Sequence, residues 1–188
     1  MKNSYVRLGG ILFIIAAISA GILAFLNDTT KDLIAQNEAM ASMDPAVLEA
    51  VMPGAVMFND LEDTALIDTI KAENEKFVNL QVAVDASNNE LGYVVRTFST
   101  VAGYGGDMEL FVGISPEGKI TGVNVVSHSE TSGLGSRTTE PEFTSQFAGK
   151  DASTEIVEFD ALTGATKSSK SFLSAVNNAI NIYSQYLK

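Results

Sequence analysis

The sequence predicts an α+β fold: a single N-terminal transmembrane helix followed by a soluble domain of antiparallel β-hairpins packed with helices. Three observations predict it. An uncharged apolar run fills residues 8–26, strand-like segments flank turn residues in the middle of the chain, and a long amphipathic pattern closes it.

The apolar run reads LGGILFIIAAISAGILAFL, with Ser19 as its one polar side chain. Nineteen residues rising about 1.5 Å each reach roughly 28 Å, close to the hydrocarbon thickness of a bilayer. A secretory signal has a shorter apolar core and a small-residue cleavage site, whereas the flank here is Leu23-Ala24-Phe25-Leu26-Asn27. A lipoprotein signal needs a cysteine, and the chain has none. Lys2 and Arg7 precede the run, while Asp28, Lys31 and Asp32 follow it. The positive-inside rule then puts residues 1–7 in the cytoplasm, 8–26 in the cell membrane and the rest outside.

Residues 27–55 favour helix and read as a stalk. Asp28, Thr29 or Thr30 can cap its start, and Leu33, Ile34, Asn37 and Met40 keep a loose helical period. Asp44-Pro45 restarts a helix that Met52-Pro53-Gly54 ends. The compact domain is expected over 56–188. Phe77–Val84 and Leu91–Phe98 flank Ser87-Asn88-Asn89, and Met108–Ile114 and Lys119–Ser127 flank Ser115-Pro116-Glu117-Gly118, which makes two hairpins. Glu155–Phe159 reads as a last strand, and Pro141–Phe147 as a short helix. Phe172, Val176, Ile180, Tyr183 and Leu187 recur at spacings of three and four, predicting a final helix over 166–187.

Composition excludes several chemistries. Without Cys and with one His there is no disulfide, thiolate metal site, iron–sulfur cluster or multi-histidine metal centre, and no metal site is expected. All 23 acidic residues lie beyond Leu26, with every basic residue of the 12 except Lys2 and Arg7. The net charge of −11 argues against nucleic acid, whose binding rests on Lys and Arg.

Three Gly- and Thr-rich stretches remain. Gly103-Tyr104-Gly105-Gly106 precedes a strand and is no dinucleotide fingerprint, because it does not open a helix. His128-Ser129-Glu130-Thr131-Ser132-Gly133-Leu134-Gly135 follows a strand, where loops bind ligands. His128 and Glu130 could form a metal or acid–base pair, but His128 orienting its own loop is the simpler reading, and no Gly-x-Ser-x-Gly nucleophile elbow supports hydrolysis. The third, Asp160-Ala161-Leu162-Thr163-Gly164-Ala165-Thr166-Lys167-Ser168-Ser169, lies between the expected last strand and the last helix. Asp160 or Thr163 could cap that helix. The same junction could hold an anion on its unpaired N–H groups and positive dipole end.

This last stretch resembles the flavinylation motif of the FMN-binding domain family, Asp-x-x-Ser/Thr-Gly-Ala-Thr-x-Ser/Thr, through Asp160, Thr163, Gly164, Ala165, Thr166 and Ser168. The 128–135 loop is similar to the family's His-x-Glu-Thr-x-Gly-Leu-Gly segment, apart from Ser132 where Pro is commoner, and residues 103–106 to its Gly-Tyr-Gly-Gly turn. Behind one transmembrane helix, the set is most similar to the G subunits of Rnf-type ion-translocating oxidoreductase complexes. The C subunits of sodium-translocating NADH:quinone reductases share the motifs but are longer. A membrane-tethered anion-binding module without a redox role is the alternative of a different class.

The resemblance implies FMN joined by a phosphoester to Thr166. Asp160, Thr163, Gly164, Ala165 and Ser168 would surround the attachment, and Glu130, Thr131, Gly133, Leu134 and Gly135 the ring. It implies a redox subunit with no catalytic residue of its own, whose partners are the other subunits of the complex. Those partners oxidise reduced ferredoxin, reduce NAD and couple the step to Na⁺ or H⁺ transport. A threonine hydroxyl is a poor nucleophile without a base, so a separate Mg-dependent, FAD-using flavin transferase is expected. Direct contact with acidic, cytoplasmic ferredoxin is not expected, because this domain is itself acidic and exported.

Overall fold

The computed structural model describes residues 2–41 and 44–188. Met1, Ser42 and Met43, parts of the expected N-terminal segment and stalk, lie outside the described residues, as do the side chains of Lys2, Leu33, Ile34, Asn37 and Met40. The chain divides into two compact units, the first ending at Met40 and the second spanning Ala41–Lys188.

The first unit is one 40-residue helix, α1 (Lys2–Ala41). Within it Arg7–Thr30 is long and apolar enough to cross a membrane, and none of it is buried in protein. A helix apolar on every side with no protein cover is matched to lipid. The expected cap at Asp28–Thr30 does not form. The Thr29 and Thr30 hydroxyls donate back to the Phe25 and Leu26 carbonyls at 2.8–3.1 Å, which satisfies them inside a continuing helix.

The second unit begins with α2 (Pro45–Val51), whose N-cap Asp44 accepts from the Ala46 N–H at 2.7 Å, with Pro45 opening the helix as the sequence indicates. Then follow β1 (Met57–Asp60), α3 (Thr64–Glu73), β2 (Phe77–Val84), β3 (Glu90–Phe98), β4 (Glu109–Ile114), β5 (Ile120–Ser127), the short α4 (Pro141–Thr144) with a 3-10 turn after it, and α5 (Thr166–Tyr186). The strands form one antiparallel sheet in chain order, β1 to β5.

Strand alternation sends residues to two cores. Val95, Leu110, Val112 and Ile114 meet Phe172, Val176 and Ile180 of α5, with Phe143 and Phe147 completing an edge-to-face aromatic cluster. Val94 and Phe111 face the other side, where Leu48, Val51 and Met52 cover them. β4 is buried at every position, so neither of its faces meets solvent. The close seat of α2 depends on Gly122, where an added Cβ would lie 1.9 Å from the Ala50 carbonyl oxygen.

Three further expectations change. Residues 45–55 belong to the folded unit, because α2 buries its apolar side on the sheet, so the stalk is shorter than 27–55. β1 and α3 are additional elements. Glu155–Phe159 forms no strand within the sheet; it has no neighbouring strand to supply a ladder.

Candidate functional site

Three loops meet at the N-terminus of α5. The loop after β3 is tied down by serines: Ser99 Oγ accepts from the Met108 N–H at 3.0 Å and from Ser171 Oγ at 3.0 Å, while Ser174 Oγ accepts from the Val101 N–H at 3.1 Å. The loop after β5 folds on itself, with the N–H groups of Leu134 and Ser136 both donating to the Thr131 carbonyl at 3.2 Å. The third loop turns at Gly164, whose φ of +81° suits glycine, and the Ala165 N–H donates to the Leu162 carbonyl at 3.0 Å.

Glu130 joins the three. Its residue is only 8% exposed, Oε2 accepts from Ser168 Oγ at 2.7 Å, and Oε1 accepts from the Gly105 N–H at 3.2 Å. Glycine is required on both sides of this carboxylate. A Cβ on Gly103 would sit 1.9 Å from Oε1, and one on Gly135 would sit 2.3 Å from Oε2. The motifs at 103–106, 130–135 and 164–168 are thus one structural unit held on a buried carboxylate. His128 supports the same loop, its Nδ1 accepting from the Glu130 N–H at 3.1 Å. That is the loop-orienting role. Nδ1 is the acceptor, so a neutral ring carries its proton on Nε2.

Between the loops lies a cavity of about 240 Å³, lined by Tyr104, Glu130, Thr131, Leu134, Gly135, Gly164, Ala165 and Ser168. Tyr104 and Leu134 are exposed at its mouth. Lys167 Nζ stands 5.0 Å from the centre of the Tyr104 ring, a cation–π distance.

The end of α5 is bare. Its N-cap is Ala165, no side chain caps it, and its first turn holds no acidic residue. The first N–H with an intrahelical partner is that of Ser169, which donates to the Ala165 carbonyl at 2.9 Å. Those of Thr166, Lys167 and Ser168 are left for another acceptor. Thr166 is exposed at the first helical position. Free N–H groups, the positive dipole end and Lys167 suit a phosphate, and the adjoining walls of Tyr104, Leu134 and Ala165 suit a flat apolar ring. The residues present fit FMN.

Asp160 and Thr163 stand apart from this cavity. They line a neighbouring hollow of about 330 Å³ with Arg137, Glu140 and Gln146. Neither caps α5, because the Leu162–Ala165 turn places Ala165 at the cap position. Gly133 lies at the exposed tip of its loop, its N–H donating to Ser136 Oγ at 2.9 Å. Tyr104, within the Gly103–Gly106 motif, and Lys167 are site residues to which the sequence alone assigns no role. The signals present in the chain were an aromatic residue flanked by glycines and a cation directly after Thr166.

The motifs of all three loops fall within a region that matches a known family. The model of the FMN-binding domain family matches residues 103–181, and that of the RnfG N-terminal region matches residues 1–44. The chain is 34% identical over 199 residues to the G subunit of the Na⁺-translocating ferredoxin:NAD⁺ oxidoreductase complex of Acetobacterium woodii, covering 97% of this chain and 93% of that protein. It is 32% identical over 196 residues to the G subunit of the ion-translocating oxidoreductase complex of Shewanella baltica, covering 96% and 90%. Among solved structures, the C subunit of the Na⁺-translocating NADH-quinone reductase from Parabacteroides distasonis shares the fold, with a TM-score of 0.50, 24% identity, and coverage of 63% of this chain and 67% of that one.

Proposed function

This chain belongs to the family of G subunits of ion-translocating oxidoreductase complexes, and from that premise we propose that it carries electrons within such a complex through FMN joined to Thr166. The observation that carries the proposal is the bare N-terminus of α5, with Thr166 exposed on it and the Glu130-bound loops beside it.

FMN supplies one-electron chemistry, which no side chain of this chain provides. The chain's own residues bind and orient it. The N–H groups of Thr166, Lys167 and Ser168 would hold the phosphate. Tyr104, Leu134 and Ala165 would flank the ring, and the backbone of Thr131–Gly135 would offer hydrogen bonds to its edge. Asp160 and Thr163 line the neighbouring hollow on the chain leading to Thr166.

Attachment needs help. No side chain pairs with the Thr166 hydroxyl among the described residues, so nothing there is placed to take its proton. A separate flavin transferase, Mg-dependent and using FAD, would make the bond. Thr166 Oγ1 joins the flavin-side phosphorus, the pyrophosphate bond breaks, AMP leaves and the hydroxyl proton passes to solvent.

The charge asymmetry about α1 supports a cytoplasmic N-terminus, residues 8–26 in the membrane and the FMN domain outside the cell membrane. Electrons then arrive through membrane subunits and not from ferredoxin directly, in a complex oxidising ferredoxin, reducing NAD and moving Na⁺ or H⁺. The test is intact mass and colour of protein purified from its own membranes and denatured. The native chain should stay yellow and carry the mass of FMN less one water, and Thr166→Ala should lose both. A colourless native chain would overturn the proposal.

A further inference from the structure

The stretch Glu155–Asp160 belongs to no strand, and side chains hold its backbone at alternate residues. Asn177 holds Ile156 by both groups: the Ile156 N–H donates to Oδ1 at 2.9 Å, and Nδ2 donates to the Ile156 carbonyl at 2.9 Å. Gln146 holds Asp160 in the same way, at 2.7 Å and 3.3 Å. Between them Lys150 Nζ donates to the Glu158 carbonyl at 3.2 Å. Positions 156, 158 and 160 therefore turn their backbone groups toward the domain. In extended chain the intervening residues turn theirs the other way. Val157 and Phe159 have no backbone hydrogen bond among the described residues, and Val157 is 83% exposed. A row of unpaired N–H and C=O groups is a template for another strand.

We infer that this free edge is where the flavin transferase docks, by adding a strand of its own beside Val157 and Phe159; the inference rests on the covalent FMN reading above. Three features select that occupant. The edge runs without interruption into the Asp160–Ser169 stretch, and Thr166 follows Phe159 by seven residues, at most about 25 Å of chain, so an enzyme paired here has the acceptor hydroxyl within reach. Thr166 lacks a base of its own, so the enzyme must hold this loop in fixed register to activate it. The edge is acidic on balance, with Glu155, Glu158 and Asp160 on it and Glu140 and Glu142 beside it, against Lys150 and Arg137, the latter paired with Glu140 at 3.8 Å. That charge favours a strand bearing Lys or Arg and opposes pairing with a second copy. Main-chain pairing would give the affinity and the charges the specificity.

The experiment uses the full chain in detergent with the host's flavin transferase and FAD, following FMN addition by intact mass. Val157→Pro removes one outward N–H, and proline suits the extended residue before it. Labelling should slow about tenfold, the loss of one hydrogen bond, with the melting temperature unchanged. Labelling at the native rate overturns the docking site and leaves the covalent reading standing, whereas an unlabelled native chain overturns both. A second measurement keeps native Val157. In the Thr166→Ala chain, residue-resolved hydrogen exchange should show the amides of Val157 and Phe159 protected at least tenfold on adding the transferase, and those of Ile156 and Asp160 unchanged. No new protection in a formed complex overturns the inference, as does protection that instead grows with the chain's own concentration.

Discussion

The N-termini of α2 and α3 differ from that of α5 in how a carboxylate is used. Asp44 and Asp63 stand immediately before their helices and accept backbone N–H groups, from Ala46 at 2.7 Å and Leu66 at 3.0 Å. α5, three times the length of α2, has Ala165 at that position. A carboxylate is close, but Glu130 comes from another loop and takes the Ser168 hydroxyl, leaving the backbone donors free. The comparison teaches that local caps serve the fold, whereas α5, without a side-chain cap, keeps backbone donors that suit an outside anion.

The largest way to break the comparison is Glu130→Ala. It strands the Ser168 hydroxyl and the Gly105 N–H and frees three loops, and should cost about 2–3 kcal/mol in urea unfolding, with Glu130→Gln intermediate. FMN attachment should slow with it. Asp63→Ala removes a purely local cap and should cost about 1 kcal/mol while leaving FMN attachment at its native level. Ala165→Ser reverses the logic by giving α5 a cap of its own. The FMN-free chain should gain up to about 1 kcal/mol, and labelling of Thr166 should slow because the new hydroxyl competes for the free N–H groups.

The smallest effect comes from carboxylates that close turns. Hydrogen bonds from Ser153 hold the Asp151 carboxyl below its ordinary value of 3.8, with Lys119 adding to the effect, and hydrogen bonds from Asn89 do the same for Asp85. A carboxyl held low in the folded state gives stability that is full above the ordinary value and is lost as pH falls through the folded one. Urea midpoints should therefore drop below pH 4, and Asp85→Asn with Asp151→Asn should flatten that drop. An unchanged acid limb would show these contacts to be without thermodynamic weight.

Much of the fold was legible because its signals are local. Ser115–Gly118 encodes its turn, Asp44-Pro45 encodes a cap and first helical residue, and the Phe172–Tyr183 spacing encodes the buried stripe of α5. What escaped was set by distant partners. β1 is four residues long and exists through pairing with β2. Residues 45–51 look like stalk until the Gly122 site admits them to the sheet. Glu155–Phe159 has strand-like residues, but its backbone is held by Asn177, Gln146 and Lys150, which no strand pattern announces. At the site, the Glu130–Thr131 and Gly164–Ala165 motifs could be read as a set. The contact of Lys167 with Tyr104, 63 positions apart, could not.

The central claim is a covalent bond at one hydroxyl. Trypsin releases residues 151–167 as one peptide, which holds Ser153, Thr154, Thr163 and Thr166. Fragmentation of that peptide from native membranes should place the flavin phosphate on Thr166 alone. The same adduct on Thr163, on either upstream hydroxyl, or on no residue of the peptide would contradict the account.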